Sequence, residues 1–204
     1  MLPTRIDHMR DIHNKALHKL LTNLVYYGTD IIEQIYTTEL NITNIMKVTP
    51  QTVQINSLSS IESILFDLHI FTSMLICNNP IFYNACIQMN HALDNNTTTM
   101  DITTEDDCIN TKVVTLQHIA LQLFTQKNQD YGDSFATYGL IGVLVRIGDK
   151  MKRLHNILNK HALLVVHESA TDTIIDLYNY SAMAIIMLVI KYVIFFVVFL
   201  VVNV

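Results

Sequence analysis

Glycine and proline are so scarce in this chain that few fold classes are open to it. Only 5 glycines and 3 prolines occur among its 204 residues. A protein with many strands needs a turn between each pair of strands, and turns depend heavily on these two residue types. Half of the residues are hydrophobic, which is enough to bury a sizeable core. The composition therefore favours helices, and we predict an all-α fold arranged as a helical bundle.

The charge balance argues against direct binding of duplex DNA. The chain carries 18 acidic and 13 basic residues, a net charge of -5, whereas DNA-binding domains usually show a basic excess. Its cysteines, Cys77, Cys86 and Cys108, lack the spacing of a metal site, and their odd number favours a reducing compartment. We therefore predict a cytoplasmic protein (in the host cytoplasm if the source is viral) that does not bind duplex DNA.

Residues 1–94 are predicted to form an N-terminal helical region. Thr4 followed three residues later by Asp7 is typical of a helix start, because the two side chains can satisfy each other's free backbone amides. Pro80 is expected in the first turn of a later helix, where its missing N–H has no cost. The acids, histidines and thiols of this region show no spacing that indicates a site, so its apolar stripes are interpreted as core.

A polar and acidic segment, residues 95–107, separates this region from the rest of the chain. It contains threonines, asparagines and acids without apolar periodicity, which is typical of a linker. We predict a second domain over residues 108–190 and an apolar C-terminal tail over residues 191–204. Within that domain, one helix is expected to end near Gly132, another to begin at Asp133 or Ser134, and the last to open near His167.

Two helical segments of this domain concentrate charge. Four residues share one face of the helix after Gly132: Arg146, Asp149, Lys150 and Arg153. Three carboxylates recur at every fourth residue of the last helix: Glu168, Asp172 and Asp176. Like charges four residues apart cost a few tenths of a kcal/mol each, so a cation is expected to offset the acidic stripe.

Two interpretations of these charges follow from the residues alone. In the first, Asp149 and carboxylates of the acidic stripe bind Mg²⁺, which prefers oxygen ligands and bridges carboxylates to phosphates. The basic residues would then neutralise the phosphate oxygens of a substrate. In the second, acids and bases only form an ion network between two packed helices, and Glu168 interacts with the helix macrodipole. Both interpretations remain open at this point.

Three segments in order, residues 127–132, 142–154 and 168–180, resemble the nucleotide modification associated domain, type 1. That family occurs in phages, giant viruses and bacteria, and it is similar to the all-α MazG and dUTPase type of nucleotide pyrophosphohydrolases. The resemblance extends over about 113–188, whereas residues 1–106 resemble no family. It implies a MazG-like C-terminal domain, and thus a protein of nucleotide or DNA base modification.

The resemblance also implies a set of site residues. It implies a pocket for a nucleotide, most simply a deoxynucleotide, with Mg²⁺ as the cofactor. The metal candidates are Asp149, Glu168, Asp172 and Asp176. The substrate candidates are Lys127, Asp130, Tyr131, Arg146, Lys150, Arg153, Asn179 and Tyr180. Asp149 and Asp172 are the catalytic candidates, for attack of water on an α-phosphate with release of pyrophosphate. The sequence departs from MazG-type enzymes in lacking a paired-glutamate motif before the acidic stripe. Relatives of this type also imply a homo-oligomer.

The C-terminal run 182–202 is almost wholly apolar and is interrupted by Lys191. About 20 apolar residues suffice to span a bilayer, so one alternative is a tail-anchored, membrane-associated protein. The other is that the run is a buried helix end or a surface that binds a partner. The alternative to a nucleotide-handling function is accordingly a non-catalytic helical scaffold or interaction protein.

Overall fold

The computed structural model describes residues 4–28, 30–47, 55–93, 108–160 and 169–202. The regular structure of these residues is entirely helical, which confirms the predicted all-α bundle. The predicted linker 95–107 lies outside the described residues, as does Glu168. In chain order, the helices are α1 (Arg5–Thr22), α2 (Leu24–Gly28), α3 (Ile31–Lys47), α4 (Ile55–Cys77), α5 (Pro80–Leu93), α6 (Ile109–Tyr131), α7 (Ser134–Thr137), α8 (Gly139–Lys160) and α9 (Ala170–Val202).

Local side-chain chemistry fixes several helix ends where the sequence predicts them. At the start of α1, Asp7 donates its backbone N–H to Thr4 Oγ1 at 3.2 Å, and the Asp7 carboxylate accepts from the Thr4 N–H at 2.9 Å. The hydrogen bonds that the Asp7 carboxylate accepts from the Thr4 N–H and hydroxyl lower the pKa of Asp7. Pro80 is the first residue of α5, and Gly132 ends α6 with a φ of 61°. The three predicted boundaries are confirmed.

The predicted helix starting at Asp133 or Ser134 is wrong in one respect. The structure divides it into the four-residue α7 and the longer α8, which begins at Gly139. Gly139 has a φ of 59°, a left-handed conformation that interrupts a helix and that residues with a Cβ rarely adopt.

The last helix, α9, opens with a second reciprocal cap. Ser169 Oγ accepts from the backbone N–H of Asp172 at 3.0 Å, and the Asp172 carboxylate accepts from the Ser169 N–H at 2.7 Å. The helix begins at Ala170, three residues after the predicted opening at His167, which lies outside the described residues. It then continues without interruption to Val202.

Helices from both sides of residues 95–107 share one hydrophobic core. Helix α9 packs mainly against α4 and α8, while α1 packs against α6. At the centre, His13 of α1, His69 of α4 and Tyr178 of α9 stack, and the ring centroids of His69 and Tyr178 lie 3.8 Å apart. Each fully buried large apolar side chain contributes on the order of 2 kcal/mol, so the first half of the chain stabilises the helices of the second.

Two of the described helices contain a stretch long and apolar enough to cross a membrane. These stretches are Ser60–Cys77 in α4 and Ala170–Ile190 in α9, and 61% and 78% of them are buried inside the protein. Because a mostly buried core helix meets the same criterion, the finding is weak support for a membrane span. Membrane association through residues 182–202 therefore stays a prediction.

Candidate functional site

A cavity of about 390 Å³ lies between the end of α6, α7, the start of α8 and the middle of α9. We call it the α6–α9 cavity. Its volume falls in the range of small-molecule sites, which are concave and mostly apolar with a few placed polar groups. The lining residues are Phe124, Lys127, Asn128, Tyr131, Ser134, Phe135, Tyr138, Gly142, Val143, Arg146, Asp176, Asn179, Tyr180 and Met183.

Aromatic side chains form the outer wall of this cavity. Tyr131 is 71% exposed and Tyr138 is 78% exposed, although both line it. Phe135 also lines the cavity and meets the buried ring of Phe124 edge-on, with centroids 6.0 Å apart. Exposed rings beside a cavity offer faces on which a flat ligand can stack.

Helix α1 supports this wall from the opposite half of the chain. Arg5 pairs with Asp133 at 3.3 Å, and its guanidinium lies 5.8 Å from the centroid of Phe135. Asp133 itself has a φ of 58°, so the chain turns sharply between α6 and α7. The Arg5–Asp133 ion pair, the turn at Asp133 and the contact of Arg5 with the Phe135 ring thus together position α7.

Glycine at position 142 allows the wall to approach α8. A Cβ atom placed at Gly142 would lie 2.5 Å from the Cβ of Tyr138, closer than real Cβ contacts. Tyr138 Cβ is bonded to the backbone, so it cannot move aside as a flexible side-chain end would. The position of the Tyr138 ring therefore depends on the absence of a side chain at 142.

Cations outnumber carboxylates at the polar side of the cavity. The Asp176 carboxylate, 12% exposed, accepts from Lys127 Nζ at 2.6 Å and from Lys150 Nζ at 2.9 Å. Arg146 lines the same cavity and is exposed. The pKa of Tyr180 is raised, first by burial and then by the Asp176 charge, and the charges of Lys127, Lys150 and Arg146 offset only part of this increase.

Asn179 is a buried polar residue in the lining of the cavity. Its side chain is 4% exposed, and its Nδ2 donates to the backbone carbonyl of Ala120 on α6 at 3.2 Å. Its Oδ1 is buried and has no hydrogen-bond partner among the described residues. Asn179, a lining residue, therefore has a buried acceptor without a partner among the described residues.

The structure brings some of the predicted site residues together and not others. Those that line the cavity are Lys127, Tyr131, Arg146, Asp176, Asn179 and Tyr180, with Lys150 joined to them through Asp176. Asp130 and Asp149 are exposed and do not line it. Arg153 donates instead to Thr173 Oγ1 at 2.5 Å, and Asp172 belongs to the cap of α9.

The described carboxylates do not form a complete metal site. Within the part of the chain that the structure describes, no three His, Cys, Asp or Glu side chains come together. Asp176 is held by two ammonium groups and Asp172 by backbone and hydroxyl donors. Glu168 lies outside the described residues, so the predicted set of four ligands, and Mg²⁺ with it, stays a prediction.

The lining also contains residues that sequence reasoning did not select. They are Phe124, Asn128, Ser134, Phe135, Tyr138, Gly142, Val143 and Met183. Tyr131, Phe135 and Tyr138 recur at steps of four and three residues around Gly132, and this aromatic spacing is the signal that could have revealed the wall.

One family model matches this part of the chain. The model described as nucleotide modification associated domain 1 matches residues 127–188, which is less than a third of the chain. The match confirms the predicted similarity to that family and indicates a role related to nucleotide modification. The relation to MazG-type enzymes stays a prediction. No curated protein and no solved structure matches the chain. Apart from Phe124, every lining residue of the α6–α9 cavity falls inside the matched segment.

Proposed function

We propose that the chain binds a nucleotide, most simply a deoxynucleotide, in the α6–α9 cavity and acts in nucleotide or DNA base modification. The observation that carries the proposal is that cationic, aromatic and hydrogen-bonding groups line one cavity built almost wholly from the matched segment. A nucleotide presents an anionic phosphate, a flat base and polar edges. Each of these three parts has a counterpart in the cavity.

The phosphate would occupy the side of the cavity where Arg146 and Lys127 lie. Arginine binds phosphate through paired N–H groups, and lysine through a compact charge. In the absence of a ligand, Asp176 holds Lys127 and Lys150 in place. An ammonium group has three N–H donors, so Lys127 can bind a phosphate oxygen while it stays paired with Asp176.

The base would lie against the outer aromatic wall. Stacking of a base on an aromatic side chain contributes about 1–3 kcal/mol and tolerates any base, since each has a π face. Tyr131 and Tyr138 are exposed at the cavity, while the half-buried Phe135 packs against the buried Phe124.

The test is a calorimetric titration with the four deoxynucleoside monophosphates, each with and without Mg²⁺. The unmodified chain is compared with Arg146→Gln and with the matched control Lys152→Gln, which removes an exposed cation of α8 that does not line the cavity. We expect Arg146→Gln to weaken binding by about tenfold, as for loss of one charged hydrogen bond, and Lys152→Gln to leave it unchanged. If both variants bind the nucleotides with equal affinity, the nucleotide does not bind in the α6–α9 cavity.

A finer proposal is that the chain is a Mg²⁺-dependent nucleoside triphosphate pyrophosphohydrolase, with Asp149 and Asp172 in the catalytic roles. Its support is the sequence resemblance. Pyrophosphate release from each deoxynucleoside triphosphate tests it. We expect pyrophosphate release to disappear when Mg²⁺ is absent and in the variant Asp172→Asn. If Asp172→Asn still releases pyrophosphate, Asp172 is not a catalytic residue.

A further inference from the structure

The Asn179 amide can adopt only one orientation in this structure. The Ala120 carbonyl is an acceptor, so the amide group that lies 3.2 Å from it must be the NH₂. The Oδ1 oxygen is thereby left as the group without a partner. The oxygen and nitrogen of a side-chain amide are often hard to distinguish. Here the Ala120 carbonyl of α6 distinguishes them, because only the nitrogen can donate to it.

An unsatisfied buried oxygen of this kind is costly. Leaving a buried acceptor without a donor costs about 1–3 kcal/mol, and most buried polar atoms in proteins are paired. Asn179 is 4% exposed and lines the α6–α9 cavity. Oδ1 itself has less than 1 Å² of accessible surface in this structure, so a donor that reaches it from the cavity must displace the atoms that cover it.

We infer that Asn179 Oδ1 reads the nucleoside part of the ligand by accepting a hydrogen bond from a base N–H or a sugar hydroxyl. The inference rests on the proposed function and deepens it, because it states which chemical group the ligand must carry. A fully ionised phosphate has no donor, and its oxygens would be repelled by the carbonyl dipole of the amide. The phosphate thus faces the cations, and the nucleoside faces Asn179.

The consequence is selectivity by the presence of a donor. A site that is built to accept a hydrogen bond rejects an analogue lacking the donor, because its buried oxygen then stays unpaired. The locked NH₂ group cannot rotate to serve an acceptor on the ligand without losing Ala120. Nucleotides whose donor has been removed or alkylated are accordingly poor ligands, and unmodified ones are good ligands.

Matched pairs of nucleotides test the inference on the unmodified chain. The exocyclic amino group is removed from dAMP, dCMP and dGMP, the N3–H of dTMP is replaced by N3–CH₃, and the 3′-hydroxyl is removed from all four. We expect loss of one particular donor to weaken binding by about three- to tenfold, the worth of one hydrogen bond. The base series and the 3′-deoxy series tell whether that donor belongs to the base or to the sugar.

The variant Asn179→Leu keeps the side-chain volume and removes the acceptor. It should bind donor-bearing and donor-lacking nucleotides equally, whereas Asn156→Leu, which removes an exposed amide of α8 that does not line the cavity, should keep the discrimination. If the unmodified chain binds nucleotides but no donor removal weakens binding, a water satisfies the amide and the inference is wrong while the proposed function stands. If no nucleotide binds, both fall. The nucleotide pairs decide on the unmodified chain alone, even where Asn179→Leu does not fold.

Discussion

At the scale of single residues, contacts of about 3 Å or less determine what the α6–α9 cavity can hold. Asp176 is the clearest case: one carboxylate, mostly buried, fixes two lysines that come from different helices. The arrangement keeps the ammonium groups at the cavity in the absence of ligand, so less side-chain entropy is lost when an anion binds. The same residue that appears in the sequence as part of an acidic stripe thus acts as an organiser of cations.

A substitution at Gly142 tests the aromatic wall. Gly142→Ala places a Cβ 2.5 Å from that of Tyr138, so the wall must shift, and we expect a loss of about 1–3 kcal/mol in stability together with weaker nucleotide binding. Chemical denaturation and calorimetric titration measure the two effects.

Gly148→Ala is the matched control, since it lies in the same helix and a Cβ there meets nothing within 4 Å. Alanine should stabilise the helix at this position by about 0.4–1 kcal/mol and leave binding unchanged. If both alanines have the same effect on stability and binding, the close approach of Tyr138 to α8 has no role.

At the scale of helices, the reciprocal cap of α9 sets where the longest helix begins. Ser169 and Asp172 exchange three hydrogen bonds of 2.7–3.0 Å. Capping of this kind contributes about 0.5–2 kcal/mol. Asp172 is therefore engaged in a structural role, whether or not it also has the catalytic role predicted for it.

A double-mutant cycle measures that structural role. Ser169→Ala and Asp172→Asn should each lower the free energy of unfolding by about 1 kcal/mol, and the double variant should lose less than the sum because both remove the same cap. Urea denaturation of the four proteins gives the coupling. Strictly additive losses would mean that the two side chains do not act together.

The helix boundaries show which parts of the fold can be predicted from the sequence. The cap at Thr4, Pro80 at the start of α5 and Gly132 at the end of α6 were predictable because each depends on the residue itself and its near neighbours in sequence. The break at Gly139 was not, since glycine is also compatible with a helix interior and only its φ of 59° decides.

At the scale of the whole molecule, the stacked rings of His13, His69 and Tyr178 join helices that are far apart in sequence. Burial lowers the pKa of His13 from 6.5 to about 4 and that of His69 well below its usual value. Both imidazoles are therefore neutral in the folded protein at neutral pH. The core accommodates them only in that form.

Stability should consequently fall in acid. Below pH 6.5 the unfolded chain takes up protons on these histidines that the folded chain does not, so the free energy of unfolding decreases from there towards pH 4. For His13 alone the loss is on the order of 3 kcal/mol. Melting temperatures across this range should show a shallower decline in His13→Phe, and the wild-type decline in the exposed control His18→Gln. An unchanged slope in His13→Phe would contradict the assignment.

The site was harder to predict than the fold, because its contacts join residues that are far apart in sequence. Periodicity and recognised segments selected Lys127, Arg146, Asp176, Asn179 and Tyr180, which the structure does bring to one cavity. Periodicity could not reveal that Lys127 pairs with Asp176 across 49 residues of chain, or that Asn179 is left with an unsatisfied oxygen. Those facts depend on how α6, α8 and α9 pack, and no local pattern encodes that packing.

The most direct test of the central claim is a crystal structure of the chain with a deoxynucleoside monophosphate bound. We predict the nucleotide in the α6–α9 cavity, with its phosphate within hydrogen-bond distance of Arg146 and Lys127 and its nucleoside against Tyr131 and Tyr138. A nucleotide bound elsewhere on the chain, with Asp176 still paired to both lysines and the cavity empty, would contradict it.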